Sequence, residues 1–174
     1  MSQLINEEKA NNVTTLTFSR MLNSVADLKE IDLKDEYQSA SALIFTLAAF
    51  EKDENAGKAM FEYINGPEDM SGFDVSFIKN QLSQYPYVMR SYFNGTSPEN
   101  NYEVSNVIIT FKENQYSRTE ENYVQLLAHS SGADSDRMFK LRKKPSTGEW
   151  FVFSDTYRAL LAGIRIPKSV DKWA

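Results

Sequence analysis

Met138-Phe139-Lys140-Leu141-Arg142-Lys143-Lys144-Pro145-Ser146-Thr147-Gly148-Glu149-Trp150-Phe151-Val152-Phe153 is the stretch whose reading decides the fold. Met138–Arg142 and Trp150–Phe153 each read as a strand, and Pro145-Ser146-Thr147-Gly148 between them is turn chemistry. Two strands joined by a short glycine-containing loop make an antiparallel hairpin. Side chains alternate along a strand, so Phe139 and Leu141 share one face while Lys140 and Arg142 share the other. The apolar face needs a cover, and the rest of the chain supplies candidates for it.

Two further strands are expected just upstream, at Asn106–Phe111 and Tyr123–Ala128. The first half reads as helices. Thr14 or Thr15 is expected to cap a first helix with Leu16, Phe18, Met21, Leu22, Val25 and Leu28 inward. Asp35 caps a second helix through about Glu51, apolar on most faces and therefore central. A third runs from about Asn55 to Ile64, where Asn65-Gly66-Pro67 stops it, since glycine accepts the left-handed cap. Ser71-Gly72-Phe73-Asp74 has capping-box spacing and opens a fourth. Tyr85–Met89 is expected to be extended because of Pro86. Tyr92–Tyr102 is a loop of turn residues, and Asp155–Leu161 is a short helix or a continuing strand.

Helices first and strands second give an α+β fold: N-terminal helices packed on a C-terminal, mostly antiparallel β-sheet. At 174 residues the chain is expected to be one domain, 1–174, with a helical part over 1–84 and a loop-and-sheet part over 85–174. That length supports a core without staples. The chain has no cysteine, which removes disulfide and thiolate chemistry and fits a cytoplasmic setting. The most apolar run, Ala42–Phe50, is about half of what spans a bilayer, so no membrane association is expected. The N-terminus lacks a basic region followed by an apolar stretch, so it is not a signal peptide as it stands, and a leader trimmed ahead of it would leave no trace.

The net charge of −5 is unevenly spread. Residues 1–120 carry 10 Lys/Arg and 18 Asp/Glu, whereas residues 121–174 carry 9 and 6. The basic part either complements the acidic helices or meets an anionic partner, a small molecule or a protein. The acidic balance and the lack of a recognised binding motif argue against nucleic acid.

Two stretches carry a family resemblance. One is Ser91-Tyr92-Phe93-Asn94-Gly95-Thr96-Ser97-Pro98-Glu99-Asn100-Asn101-Tyr102. The other begins at Gly132-Ala133-Asp134-Ser135 and continues through Arg137, Leu141-Arg142, Trp150, Leu160-Leu161, Gly163-Ile164-Arg165, Pro167 and Asp171-Lys172-Trp173-Ala174. Together they resemble a bacterial family, best known from Gram-positive anaerobes, described as a domain of unknown function. The resemblance implies prolines where Glu103 and Asp136 stand, and an acidic-aromatic pair near Ser154-Asp155. It implies one continuous fold and carries no activity.

Candidate site residues follow from residue chemistry. His129, the only histidine, stands at a strand exit beside Ser130-Ser131-Gly132. It reads either as a general base oriented by Asp134 or Asp155, or as a polar strand end. No Gly-x-Ser-x-Gly elbow accompanies it. Asp134 and Asp136 read as turn formers rather than cation ligands, and no metal or cofactor is expected. Arg137, Lys140, Arg142, Arg158 and Arg165 are candidate anion contacts, since arginine offers a two-pronged fork. Tyr92 and its neighbouring aromatics serve packing or line a ligand surface. The ligand-binding set is therefore His129, Asp134, Arg137, Arg142, Arg165 and Tyr92, with no catalytic set. The chain reads as a non-enzymatic binding or interaction module using the basic C-terminal sheet face and adjoining loops. The alternative is a small-molecule pocket, enzymatic or not, in a cone-shaped α+β fold.

Overall fold

A computed structural model describes residues 3–174. Six strands form one antiparallel sheet in chain order: β1 (Ile5–Ala10), β2 (Val13–Phe18), β3 (Val107–Lys112), β4 (Tyr123–Ala128), β5 (Arg137–Lys144) and β6 (Glu149–Val152). Among the described residues the α-helices lie in the long connection between β2 and β3: α1 (Val25–Leu28), α2 (Glu36–Lys52), α3 (Glu54–Ile64) and α4 (Gly72–Gln84). The fold is mixed α+β, and two of its strands precede the helices. No helix among the described residues is long and apolar enough to cross a membrane.

The expected first helix is corrected by this arrangement. Residues 13–18 form β2, and only Val25–Leu28 of the expected helix is helical. Thr14, Leu16 and Phe18 are buried in alternation, a period of two. Leu16 and Phe18 are two apart, which is strand spacing and not helix spacing. Val13, Thr14, Thr15 and Thr17 are β-branched and suit a pleated surface. Asn11 turns the β1–β2 hairpin with φ +57°, a left-handed conformation that asparagine tolerates.

The other helices follow their caps. The Asp35 carboxylate accepts from the Tyr37 and Gln38 amides, and α2 ends only where Asp53 begins α3 with the same device. Ser71 caps α4 by accepting from the Asp74 amide. Tyr85–Met89 differs from expectation: the chain leaves α4 at Tyr85 and then makes a 3-10 turn over Val88–Tyr92. Proline restricts only the residue before it, so the extended reading ran too far. Thr156–Leu161 is also a 3-10 turn.

The core lies between α2 and one face of the sheet. Leu43, Ile44, Phe45 and Leu47 are fully buried, as are Leu16, Ile109, Phe111, Val124, Leu126 and Leu141. β3 and β4 pair only at Phe111–Ala128 and Lys112–Leu127. Beyond that point they diverge, and Ser91–Asn94 wedges between them. The Asn94 amide donates to the Ile108 carbonyl and the Ser131 amide to the Ser91 carbonyl. At the other end, Trp150 buries its ring and donates its amide to the Leu33 carbonyl at 2.7 Å.

Candidate functional site

The two quoted motifs meet in space and form a clamp. Ser91 and Ser130 share a hydroxyl hydrogen bond of 2.8 Å, and Thr96 and Ser131 share another of 2.8 Å. Tyr92 is fully buried and donates to the Leu160 carbonyl at 2.7 Å, so it packs and does not present itself to a ligand. Burial pushes its phenol far above the ordinary value. Tyr102 is stacked on Tyr87 and donates to the Arg165 carbonyl at 2.6 Å. Gly132 makes this possible, since a Cβ there would sit 2.1 Å from the Tyr102 hydroxyl oxygen.

Most of the expected ligand residues work within this clamp. Arg137 donates to the carbonyls of Ala162 and Gly163, at 3.2 and 2.9 Å from Nη2, and holds the C-terminal tail. Arg165 is ion-paired to Asp134 on the surface. His129 is exposed, with Nδ1 3.5 Å from Asp136, which also pairs with Lys112. Its carboxylate neighbour is thus Asp136, and among the described residues neither Asp134 nor Asp155 lies within ion-pair distance of it. Among the described residues no three His, Cys, Asp or Glu side chains converge as metal ligands.

Arg142 stands apart from the other candidates. It lines a cleft of about 500 Å³ between the β5–β6 hairpin, the α3–α4 connection and the Thr156–Leu161 turn. The register pairs Arg142 with Phe151 across the hairpin, so both lie on one face. Phe61, Phe151, Phe153 and Tyr157 contribute aromatic surface to the lining. Gly66 crosses close over this surface with φ +66°, and a Cβ there would come within 2.9 Å of the Phe151 ring. Ser154, also in the lining, holds φ +50°. For a non-glycine residue that conformation costs about 1–3 kcal/mol and must be held by its surroundings.

Charge on the cleft walls divides into a closed set and an open set. Asp74 accepts from the Ser71 hydroxyl at 2.5 Å, the Tyr157 hydroxyl at 2.6 Å and Arg158 at 3.2 Å. Burial alone would raise the Asp74 carboxyl, but these three bonds bring it below the usual value. The Tyr157 phenol is raised, by burial first and by the Asp74 carboxylate next. Arg158 also reaches Asp155 at 3.5 Å and lies 5.0 Å from the rings of Phe73 and Phe77. In this set each charge has a counter-charge, but the Arg158 Nε is buried without a hydrogen-bond partner among the described residues. In the open set, Arg142 and Lys144 have no carboxylate within ion-pair distance among the described residues, and neither Glu68 nor Asp69 has a cation. Lys143 lies over the Trp150 ring at 5.4 Å.

A family model matches residues 18–168. The chain belongs to the family described as Domain of unknown function (DUF6935). The match includes every residue that lines the cleft and every residue of the clamp. No curated protein and no solved structure matches the chain.

Sequence reasoning missed the acidic wall, Glu68 and Asp69, and the aromatic lining at Phe61 and Phe151, while Tyr157 was expected beside the cations. The Arg142-Lys143-Lys144 run was a usable signal for the basic wall. The acidic wall had none, because Glu68 and Asp69 read as ordinary loop residues after Gly66-Pro67.

Proposed function

We propose that this domain is a non-enzymatic binding module whose ligand carries an anionic group and an apolar body and sits in the cleft at the β5–β6 hairpin. The supporting observation is which cations are free. Lys140 is paired with Glu120 at 3.1 Å, Arg158 with Asp74 at 3.2 Å, and Arg165 with Asp134. Of the cations expected on the basic face, that leaves Arg142, joined by Lys144, beside an aromatic surface. A guanidinium without a carboxylate partner recognises carboxylate or phosphate by its two-pronged geometry. This reading requires neither metal nor cofactor. The volume of about 500 Å³ falls in the range of small-molecule sites, which favours a small-molecule pocket as the second reading.

The test is the double substitution Arg142→Ala with Lys144→Ala. Melting temperature and calorimetric titration would be measured on both proteins with a panel of phosphorylated and carboxylated aromatic compounds. The expected result is an unchanged melting temperature without ligand and loss of the ligand-induced shift. Equal binding by both proteins would move the site elsewhere.

A further inference from the structure

We propose that β1 is a proton-held strap: it is seated on β2 while the Glu7 and Asp35 carboxyls share a proton, and it detaches when that proton leaves. β1 is the first strand of the sheet, and β2 is its only strand partner. The register sets Glu7 beside Leu16 and Leu16 beside Ile109, one row across three strands. Leu16 and Ile109 are fully buried, so Glu7 continues a core row with an ionisable group. Among the described residues, only Leu4 and Ile5 add apolar packing ahead of the β1–β2 turn. A strand with so little apolar contact opens locally before the rest of a fold does.

The charges around Glu7 leave its carboxyl short of a cation. It meets the Asp35 carboxyl, and its Oε1 is buried with no hydrogen-bond partner among the described residues. Asp35 is committed to α2, accepting from the Tyr37 and Gln38 amides. Two carboxylates in contact repel, and one proton between them turns the repulsion into a hydrogen bond. From β1, Lys9 lies 4.0 Å from Glu7 Oε2, but it also sits 4.8 Å over the Tyr37 ring and attracts Glu113. From α2, Glu36 adds a further carboxylate. Beyond β3, Glu113 accepts from the Tyr37 hydroxyl, and Arg118 is spent on Glu113 and Glu36. Glu7, Asp35, Glu36 and Glu113 thus outnumber Lys9 and Arg118, and a proton supplies the missing charge. Glu7 is accordingly raised from 4.5 to about 7, by burial first and by Asp35 second. The seated strand keeps a proton that the released strand gives up near 4.5. Seating is therefore fully supported below 4.5 and loses that support as pH rises through about 7. Release leaves β2 as the edge of the sheet. Val13–Phe18 carries no charged side chain, so the edge that Glu7, Glu8 and Lys9 keep closed becomes one that pairs readily with another chain.

The test reads amide hydrogen exchange by NMR on the full chain from about pH 5 to about pH 8.5, with each rate divided by its intrinsic value. Protection of the amides bonded between β1 and β2 is expected to fall on the order of a hundredfold over that range. A proton held from 4.5 to about 7 shifts the opening equilibrium about tenfold per pH unit. Amides of β3, β4 and β5 are expected to keep their protection. Glu7→Gln has no proton to lose and is expected to hold the β1 protection constant with pH. Asp35→Asn still caps α2, as asparagine does, and is expected to move the midpoint of the fall below about 7. Constant protection of β1 in the unaltered chain, or an undiminished fall in either variant, would overturn the shared proton. An equal fall in β3, β4 and β5 would make the opening global and overturn the strap.

Discussion

The sheet has two edges, and their residues differ. β1 presents Glu7, Glu8 and Lys9 in the middle of a six-residue strand. β6 presents Trp150, Phe151 and Val152 in a four-residue strand. Charged residues on an edge discourage pairing with another chain, whereas short length and a covering segment limit it without abolishing it. At β6 the Leu33 carbonyl covers the Trp150 amide, and Val152, buried in the core, lies at the inner wall of the cleft. The contrast teaches that charge closes one edge, while burial and a covering segment close the other.

The largest effect expected on this contrast comes from the ring that anchors β6. Trp150 is only 7% exposed, and Trp150→Ala is expected to cost about 3–5 kcal/mol. Urea unfolding of the variant measures this. A loss below about 1 kcal/mol would mean that β6 is held by its turn and its pairing to β5, and the comparison would lose its footing.

The next effect belongs to β1 and is read by pH. Glu7 is raised from 4.5 to about 7, by burial first and by the neighbouring Asp35 carboxyl second. Lys9 opposes this shift and Glu36 adds to it. The folded chain thus keeps a proton that the unfolded chain releases near 4.5. The stabilisation is fully present below that value and is lost as pH rises through about 7. Its size is on the order of 1–3 kcal/mol. Denaturant midpoints measured from pH 4.5 to 8 should fall with rising pH, and Glu7→Gln should flatten that fall. An unchanged slope in the variant would assign the titration to another group and leave β1 closed by its charges alone.

The smallest effect separates a free cation from a clamping one. Arg142→Ala is expected to change stability by less than about 1 kcal/mol, because the guanidinium has no carboxylate partner and only lies 6.0 Å from the centre of the Tyr123 ring. Arg137→Ala removes three charge-assisted bonds to the tail carbonyls of Ala162 and Gly163 and is expected to cost about 1–2 kcal/mol. Thermal melts of both variants decide it. Equal losses would show that Arg142 has a structural partner and would weaken its assignment to a ligand.

Several elements were legible from local chemistry. The caps at Asp35 and Ser71 satisfy amides within three residues, and the Tyr123–Ala128 strand shows its alternation over six residues. Local rules failed where two of them competed. At Thr14–Phe18 a helical spacing could be drawn onward through Phe18, Met21, Leu22 and Val25, but the threonines and the Leu16–Phe18 step were strand signals. The candidate residues show the same limit. His129, Asp134, Arg137, Arg165 and Tyr92 were selected for their chemistry, yet the fold occupies Tyr92, Arg137 and Arg165 with internal partners, sets Asp134 against Arg165, and places His129 beside Asp136.

By itself the sequence determined the α2–α4 helices, the β5–β6 hairpin, the mixed α+β class and the concentration of positive charge after residue 120. Those depend on hydrogen bonds and side-chain periods that close within a few residues. Only the tertiary structure decided which cations are neutralised and which are free, and that the Gly66–Asp69 loop lies against the hairpin to make a cleft. It alone buried Trp150 and Val152 at the last strand of the sheet. Ion pairing and edge exposure depend on residues tens of positions apart, such as Arg165 with Asp134 and Trp150 with Leu33, and no local period in the chain encodes those distances.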